Sequence, residues 1–330
     1  MTRSTSNSIA TRLADGLIPA TPVPFDANGK LHEAGHESYL SYMARQSIAG
    51  VAVWAHTGRG LMLDEDTAQR VLGDWRQTLP EAVIIAGAGS RNSDPQRATA
   101  DTVAMAERAA SAGADALLVY PPTWLIGHSS PDQLILEHHR QVAGVGLPVI
   151  LFYLYEAAGG IAYSPQLLDE LLALPGVLGI KMATLDSVMT YQDVARQLRQ
   201  RHPEKLLITG EDRFLGYSLR LGARSALIGM GAICCNLQSD LIRAHTSGDA
   251  PRFLKQSDKV DLLAQSIFVQ PMEGYIRRLL WSLVHLGVIP LEAANDPWGP
   301  KLSPDEFDKM GRTLQALKAL KALKFETQEC

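Results

Sequence analysis

V-I-L-F-Y-L-Y-E-A-A-G-G-I-A-Y-S-P-Q-L-L-D-E-L-L-A-L-P-G-V-L-G-I-K, Val149 to Lys181, carries the pattern on which the fold turns. It opens with an apolar, β-branched run, Val149–Tyr153, that reads as a strand. Ser164 then stands as an N-cap before Pro165 at the first helical position, and Pro165–Leu174 is rich in leucine. A second strand, Val177–Lys181, completes the stretch. Strand, helix and strand over this length make a parallel β-α-β unit.

The unit repeats along the chain. Further strand-like runs at Leu17–Thr21, Val51–Ala55, Val83–Ala86, Ala116–Tyr120, Leu206–Thr209 and Ala226–Gly229 raise the number to eight. Amphipathic segments lie between them, such as Asp66–Leu79, with Ala68, Val71, Leu72 and Trp75 at helical spacing, and Asp186–Leu198. Eight alternations predict a closed (β/α)8 TIM barrel of the α/β class. An open doubly wound sheet is the competing reading, but no G-x-G-x-x-G follows the first strand. After Asn236 the segments are helical: Asp240–His245, Ala250–Ser266, Met272–Leu286 and Pro304–Leu320. Residues 1–236 are therefore expected to form the barrel and 237–330 a helical extension packed on it as one structural unit. The lysine-rich ending, L-K-A-L-K-A-L-K, reads as a solvated helix face.

Composition bounds the function. The chain has 330 residues, is 46% hydrophobic and 20% charged, and carries a net charge of -4. These are ordinary globular values. With no basic stripe to offset the mild acidity, a nucleic-acid partner is not expected. Cys234 and Cys235 are neighbours that cannot form an unstrained disulfide, and with Cys330 they show no metal-ligand spacing. The N-terminal residues lack the apolar core of a signal peptide, and no apolar run approaches the ~20 residues that span a bilayer. A reduced, cytoplasmic protein with no membrane partner is the expectation.

Lys181 ends an apolar strand, and a cation there needs a physical reason. In a barrel, the C-terminal ends of the strands and the loops after them build the site. An amine partly desolvated in the barrel mouth has a lowered pKa and attacks carbonyl carbon, giving a Schiff base. The competing reading is a structural lysine paired with Glu211 or Asp212. Tyr153, ending the strand before, is expected beside Lys181, where it would shuttle the protons of carbinolamine formation; a buried aromatic capping the core is the bland reading.

G-I-K at the end of strand six, the tyrosine one strand earlier, and Gly160 and Pro165 between them resemble the dihydrodipicolinate synthase/N-acetylneuraminate lyase family of class I aldolases. G-L-I-P-A-T-P-V-P-F-D-A-N-G-K is similar to that family's opening. A-H-T-G-R-G-L-M-L-D-E-D stands where the family has G-T-T-G-E, and I-T-G-E-D-R resembles its seventh-strand G-x-D. The resemblance implies a Schiff-base Lys181 and a catalytic Tyr153. It also implies that Thr57 and Gly58 of the H-T-G loop bind the carboxylate of a 2-oxo acid such as pyruvate. It further implies aldol cleavage or condensation, or dehydration of a 2-keto-3-deoxy sugar acid, without metal or organic cofactor, in a homotetramer built from dimers. A third reading is a relative that binds a 2-oxo acid without catalysis.

Departures from the family bear on the substrate. His56 replaces the first threonine of T-T-G and is expected to move protons itself, or else only to bond the loop. Arg59 replaces a glutamate and would clamp a second carboxylate, or pair outside the pocket with Asp64 or Glu65. Thr123 or Trp124 falls where the family lends a second tyrosine between subunits. Ala158 stands in place of the arginine that grips the aldehyde of dihydrodipicolinate synthases. Met182, after the lysine, matches neither branch of the family. Tyr155 and Glu156 are expected to meet the tail of a sugar acid or to lie on a surface loop. Ile228–Ala232 could suggest a phosphate cradle, although it lacks the Walker pattern.

Overall fold

Eight parallel strands stand side by side in the computed structural model, which describes residues 3–322. They are β1 (Leu17–Pro19), β2 (Gly50–Val53), β3 (Val83–Ala88), β4 (Ala116–Val119), β5 (Val149–Leu154), β6 (Val177–Ala183), β7 (Leu206–Thr209) and β8 (Ser225–Ile228), ordered β1-β8-β7-β6-β5-β4-β3-β2. A parallel bridge between Ala20 and Ala52 brings β1 to β2, with Thr21 N donating to Ala52 O at 3.1 Å, so the sheet closes. The fold is the (β/α)8 barrel.

Strands buried on both faces account for the continuous apolar runs. Alternate residues point inward: Ile150, Phe152 and Leu154 of β5 join Leu178, Ile208 and Leu227 in the barrel interior. The intervening Val149, Leu151 and Tyr153 pack outward under the helices. The outer layer comprises α2 (Glu33–Met43), α3 (Glu65–Thr78), α4 (Pro95–Ser111), α5 (Pro131–Ala143), α6 (Pro165–Ala173), α7 (Val188–Arg201), α8 (Leu215–Arg220) and α9 (Cys235–Thr246). Preceding them, α1 (Arg3–Leu13) leads directly into β1, and its Ile9 and Leu13 belong to the interior cluster. Local chemistry starts these helices. Ser164 Oγ accepts from Leu167 N at 3.1 Å ahead of Pro165, and Asp64 Oδ1 accepts from Thr67 N at 2.8 Å. Leu167, Leu168, Leu171 and Leu172 of α6 are buried, and each contributes on the order of 1.5–3 kcal/mol of hydrophobic stabilisation.

The boundary expected at residue 236 falls inside α9, which packs on β1 and occupies the place of the eighth barrel helix. The extension beyond it consists of α10 (Ala250–Ile267), α11 (Tyr275–His285) and α12 (Pro304–Ala322). Cys330 and the last residues of the lysine-rich run lie outside the described residues. Arg278 of α11 is fully buried and organises the turn between α10 and α11. Its Nη1 donates to Ile267 O at 3.0 Å, Val269 O at 2.9 Å and Pro271 O at 3.2 Å, while Nε pairs with Glu306 of α12 at 2.6 Å. This turn faces the C-terminal end of the barrel. Among the described residues, no helix is long and apolar enough to cross a membrane.

Candidate active site

The strand register sets the floor of the site. Lys181 of β6 pairs with Phe152 on β5 and Ile208 on β7, and all three point into the barrel. Lys181 is 6% exposed, and its Nζ lies 4.1 Å from the centroid of the Phe152 ring. A Cβ at Gly210, just past β7, would come within 2.7 Å of Lys181 Cε, so a side chain there would displace the lysine. Burial lowers the Lys181 amine to about 8, against the opposing charges of Asp212 and Glu211. Roughly a tenth of such an amine is neutral at pH 7, far more than for a solvated lysine.

The two carboxylates after β7 are held by backbone amides. Glu211 accepts from Thr184 N at 2.6 Å, Thr184 Oγ1 at 2.9 Å and Leu185 N at 3.0 Å. Asp212 accepts from Met230 N at 2.7 Å. Burial raises both to about 7, although these hydrogen bonds favour ionisation. They therefore act on Lys181 by charge across the cavity while tying β6, β7 and β8 together.

The H-T-G loop is a single 3-10 turn, His56–Gly58, after β2. Thr57 Oγ1 lies 3.1 Å from Tyr275 Oη, and His56 and Tyr275 stack with centroids 6.3 Å apart. Arg59 ends the turn in the left-handed region, at φ 52, an unusual conformation for a side chain of this kind. Its guanidinium donates from Nε and Nη2 to Asp296 at 3.0 and 2.7 Å, and from Nη1 to Glu273 at 3.0 Å. Glu273 also meets His56 Nε2 at 3.1 Å and accepts from Tyr155 Oη at 2.8 Å. Burial alone would raise the Glu273 carboxyl, but the bonds from His56 and Tyr155 and the Arg59 charge hold it at about 2.

Lys181, His56, Thr57 and Tyr155 thus share one cavity, of about 500 Å³ including its open mouth. The other expected site residues lie elsewhere. Tyr153 does not meet Lys181. It pairs in register with Met182, faces the helices, and packs edge-on against Tyr163 with centroids 5.6 Å apart. Successive side chains on a strand alternate faces, so the inward place belongs to Phe152, which has no hydroxyl. Gly58 is buried in the turn, and its amide is already bonded to Ala55 O at 3.0 Å. Arg59 neither faces the cavity as a carboxylate clamp nor pairs with Asp64 or Glu65; it is bound to Asp296 and Glu273. Glu156 is exposed on the short turn Glu156–Ala158, and Thr123 begins another, Thr123–Leu125; neither lines the cavity. Met230–Ala232 are buried and the Met230 amide is taken by Asp212, so the glycine-rich segment is not a phosphate cradle.

Four contributors from the extension are new relative to the sequence reading: Phe268 and Tyr275 in the cavity wall, Glu273 bonded to the lining residues His56 and Tyr155, and Asp296 behind Arg59. An acidic residue set among F-V-Q-P-M-E-G-Y, immediately before a helix, was the available signal. Cys234 and Cys235 are buried and take part in no disulfide among the described residues. Among the described residues, no group of three or more His, Cys, Asp or Glu is arranged to hold a metal ion.

A buried amine at the mouth of a (β/α)8 barrel is a nucleophile suited to a carbonyl group. Comparison with known proteins gives the family. The profile of the dihydrodipicolinate synthetase family matches residues 13–317, and the chain belongs to that family. It is a lyase of the dihydrodipicolinate synthase and N-acetylneuraminate lyase type. It is 27% identical to a 4-hydroxy-tetrahydrodipicolinate synthase of Nitrobacter hamburgensis over 294 residues, 86% of this chain and 93% of the relative. With the corresponding synthase of Agrobacterium fabrum it shares 28% identity over 266 residues, 78% and 83% of the two chains. The fold matches YagE from E. coli K12, crystallised with pyruvate, at TM-score 0.80 and 21% identity, covering 92% and 98% of the two chains. It also matches the sialic acid aldolase of Ruminococcus gnavus at TM-score 0.79 and 19% identity, covering 94% and 99%.

Proposed function

We propose that the protein captures a 2-oxo acid such as pyruvate as an imine on Lys181 and makes or breaks a bond at the adjoining carbon. The observation that carries this reading is the buried Lys181 amine, lowered to about 8 in an aromatic-walled cavity. Its lone pair is available near neutral pH, and the protonated imine that it forms is an electron sink for a carbanion at C3. The Thr57 hydroxyl, held against Tyr275, is a donor for the substrate carboxylate. His56 moves protons. Synthases among the relatives and the pyruvate bound by YagE support a pyruvate-type donor. Aldol cleavage and loss of water from a 2-keto-3-deoxy sugar acid both proceed from the same imine.

The test is incubation with pyruvate, borohydride reduction and mass spectrometry of the peptides. An adduct on Lys181 is expected, and Lys181→Met should abolish it. Labelling elsewhere, or none, would sink the imine reading. Assays of pyruvate with a panel of aldehydes, set against keto-deoxy sugar acids, then separate aldolase from dehydratase.

A further inference from the structure

The imine reading leaves the rim of the cavity without a stated task. Glu273 receives His56, Tyr155 and Arg59, drawn from two separate loops, while Asp296 fixes Arg59 from behind. The His56 ring is stacked on Tyr275, which is stacked in turn on Phe268 with centroids 4.9 Å apart. A structural ion pair would be complete with Arg59 and Asp296 alone. Glu273 adds contacts to two residues that line the lysine's cavity.

Enamine formation needs a base, and the inward position on β5 is a phenylalanine. The Tyr155 and Tyr275 hydroxyls, raised by burial, stay protonated and make poor bases. Glu211 and Asp212 are bonded to backbone amides. His56 remains. An imidazole whose Nε2 proton points into an ionised carboxylate keeps its lone pair on Nδ1. We propose that Glu273 is the positioning residue of a His56–Glu273 dyad, fixing the His56 tautomer so that Nδ1 takes the C3 proton of the Lys181-bound 2-oxo acid. This rests on the imine reading. The C3–H bond of the iminium breaks and its proton passes to Nδ1. The electron pair forms C2=C3 while the C=N pair moves onto nitrogen. The cationic iminium becomes a neutral enamine, and His56 becomes an imidazolium balanced by Glu273.

Pyruvate tests the dyad without knowledge of the second substrate. In D2O, passage through the enamine exchanges the methyl protons of pyruvate, read by proton NMR with the full-length protein. His56→Ala should slow this exchange about 100-fold or more, within the range of general base catalysis. Glu273→Gln should slow it about tenfold or more, and the double variant should match His56→Ala, because Glu273 acts only through His56. Borohydride should still trap pyruvate on Lys181 in all three, which also shows that they fold. Exchange within twofold of the parent in Glu273→Gln would overturn the dyad alone. So would a double variant slower than His56→Ala by the full single-variant factor. Absence of the Lys181 adduct in the parent protein would overturn the imine reading and the dyad together.

Discussion

The floor and the rim of the cavity hold the same charges in opposite states. On the floor, Lys181 stands with Glu211 and Asp212; on the rim, Arg59 stands with Glu273 and Asp296. Each is one cation with two carboxylates. Floor carboxylates direct their oxygens to backbone amides, and burial moves the lysine down and both acids up toward neutrality. Rim charges bond directly to one another, and Glu273 is held at about 2. Burial without direct pairing produces groups ready to change charge, whereas burial with bidentate pairing produces fixed charges. The fork geometry of arginine suits the second task and the tunable amine of lysine the first.

Breaking the rim should have the largest effect. Arg59→Met leaves Asp296, whose side chain is 0% exposed, as an uncompensated buried charge. A loss of about 3–5 kcal/mol of stability is expected, read from the chemical unfolding midpoint. A change below 1 kcal/mol would mean that the rim is not a locked pair. The floor should respond to pH instead. Lys181 is ammonium below about 8 and becomes nucleophilic as the pH rises through that value. The initial rate of borohydride-trapped pyruvate adduct should therefore climb from pH 6 to 8, by up to about tenfold per unit, and level off above. A rate flat from pH 6 to 9 would remove the distinction. The smallest effect sharpens the comparison at β5: Tyr153→Phe should leave pyruvate exchange within about twofold, since the outward hydroxyl does not reach the cavity. A loss of tenfold or more would place Tyr153 in the chemistry after all.

Most of the barrel was readable because parallel strands buried on both faces leave long apolar runs, as in Val149–Leu154 and Val177–Ala183. That same property hid which residue of β5 faces Lys181. In an antiparallel sheet with one wet face, polarity would alternate and assign Phe152 and Tyr153 to their sides. Here both faces are apolar, and the register shift between Val149 and Ile150 adds to the ambiguity. Lys181 stood out because a cation at the end of such a run is conspicuous. Glu273 and Asp296 did not, since a carboxylate in a polar-looking turn gives no local sign of a partner as distant as Arg59. Neither partner expected for the guanidinium at 59, a substrate carboxylate or Asp64 and Glu65, is the one it has: Asp296 and Glu273 lie more than 200 residues away in sequence.

The gathering of carbonyls around Arg278 has a consequence for the order of synthesis. Lys181 and every barrel strand precede the turn that Arg278 organises, and Glu306, its partner, comes later still. A nascent chain or fragment ending after β8 holds the reactive amine but none of the carboxylates that lock Arg59 and orient His56. Docking of the last helices is then the event that brings these carboxylates to Arg59 and His56.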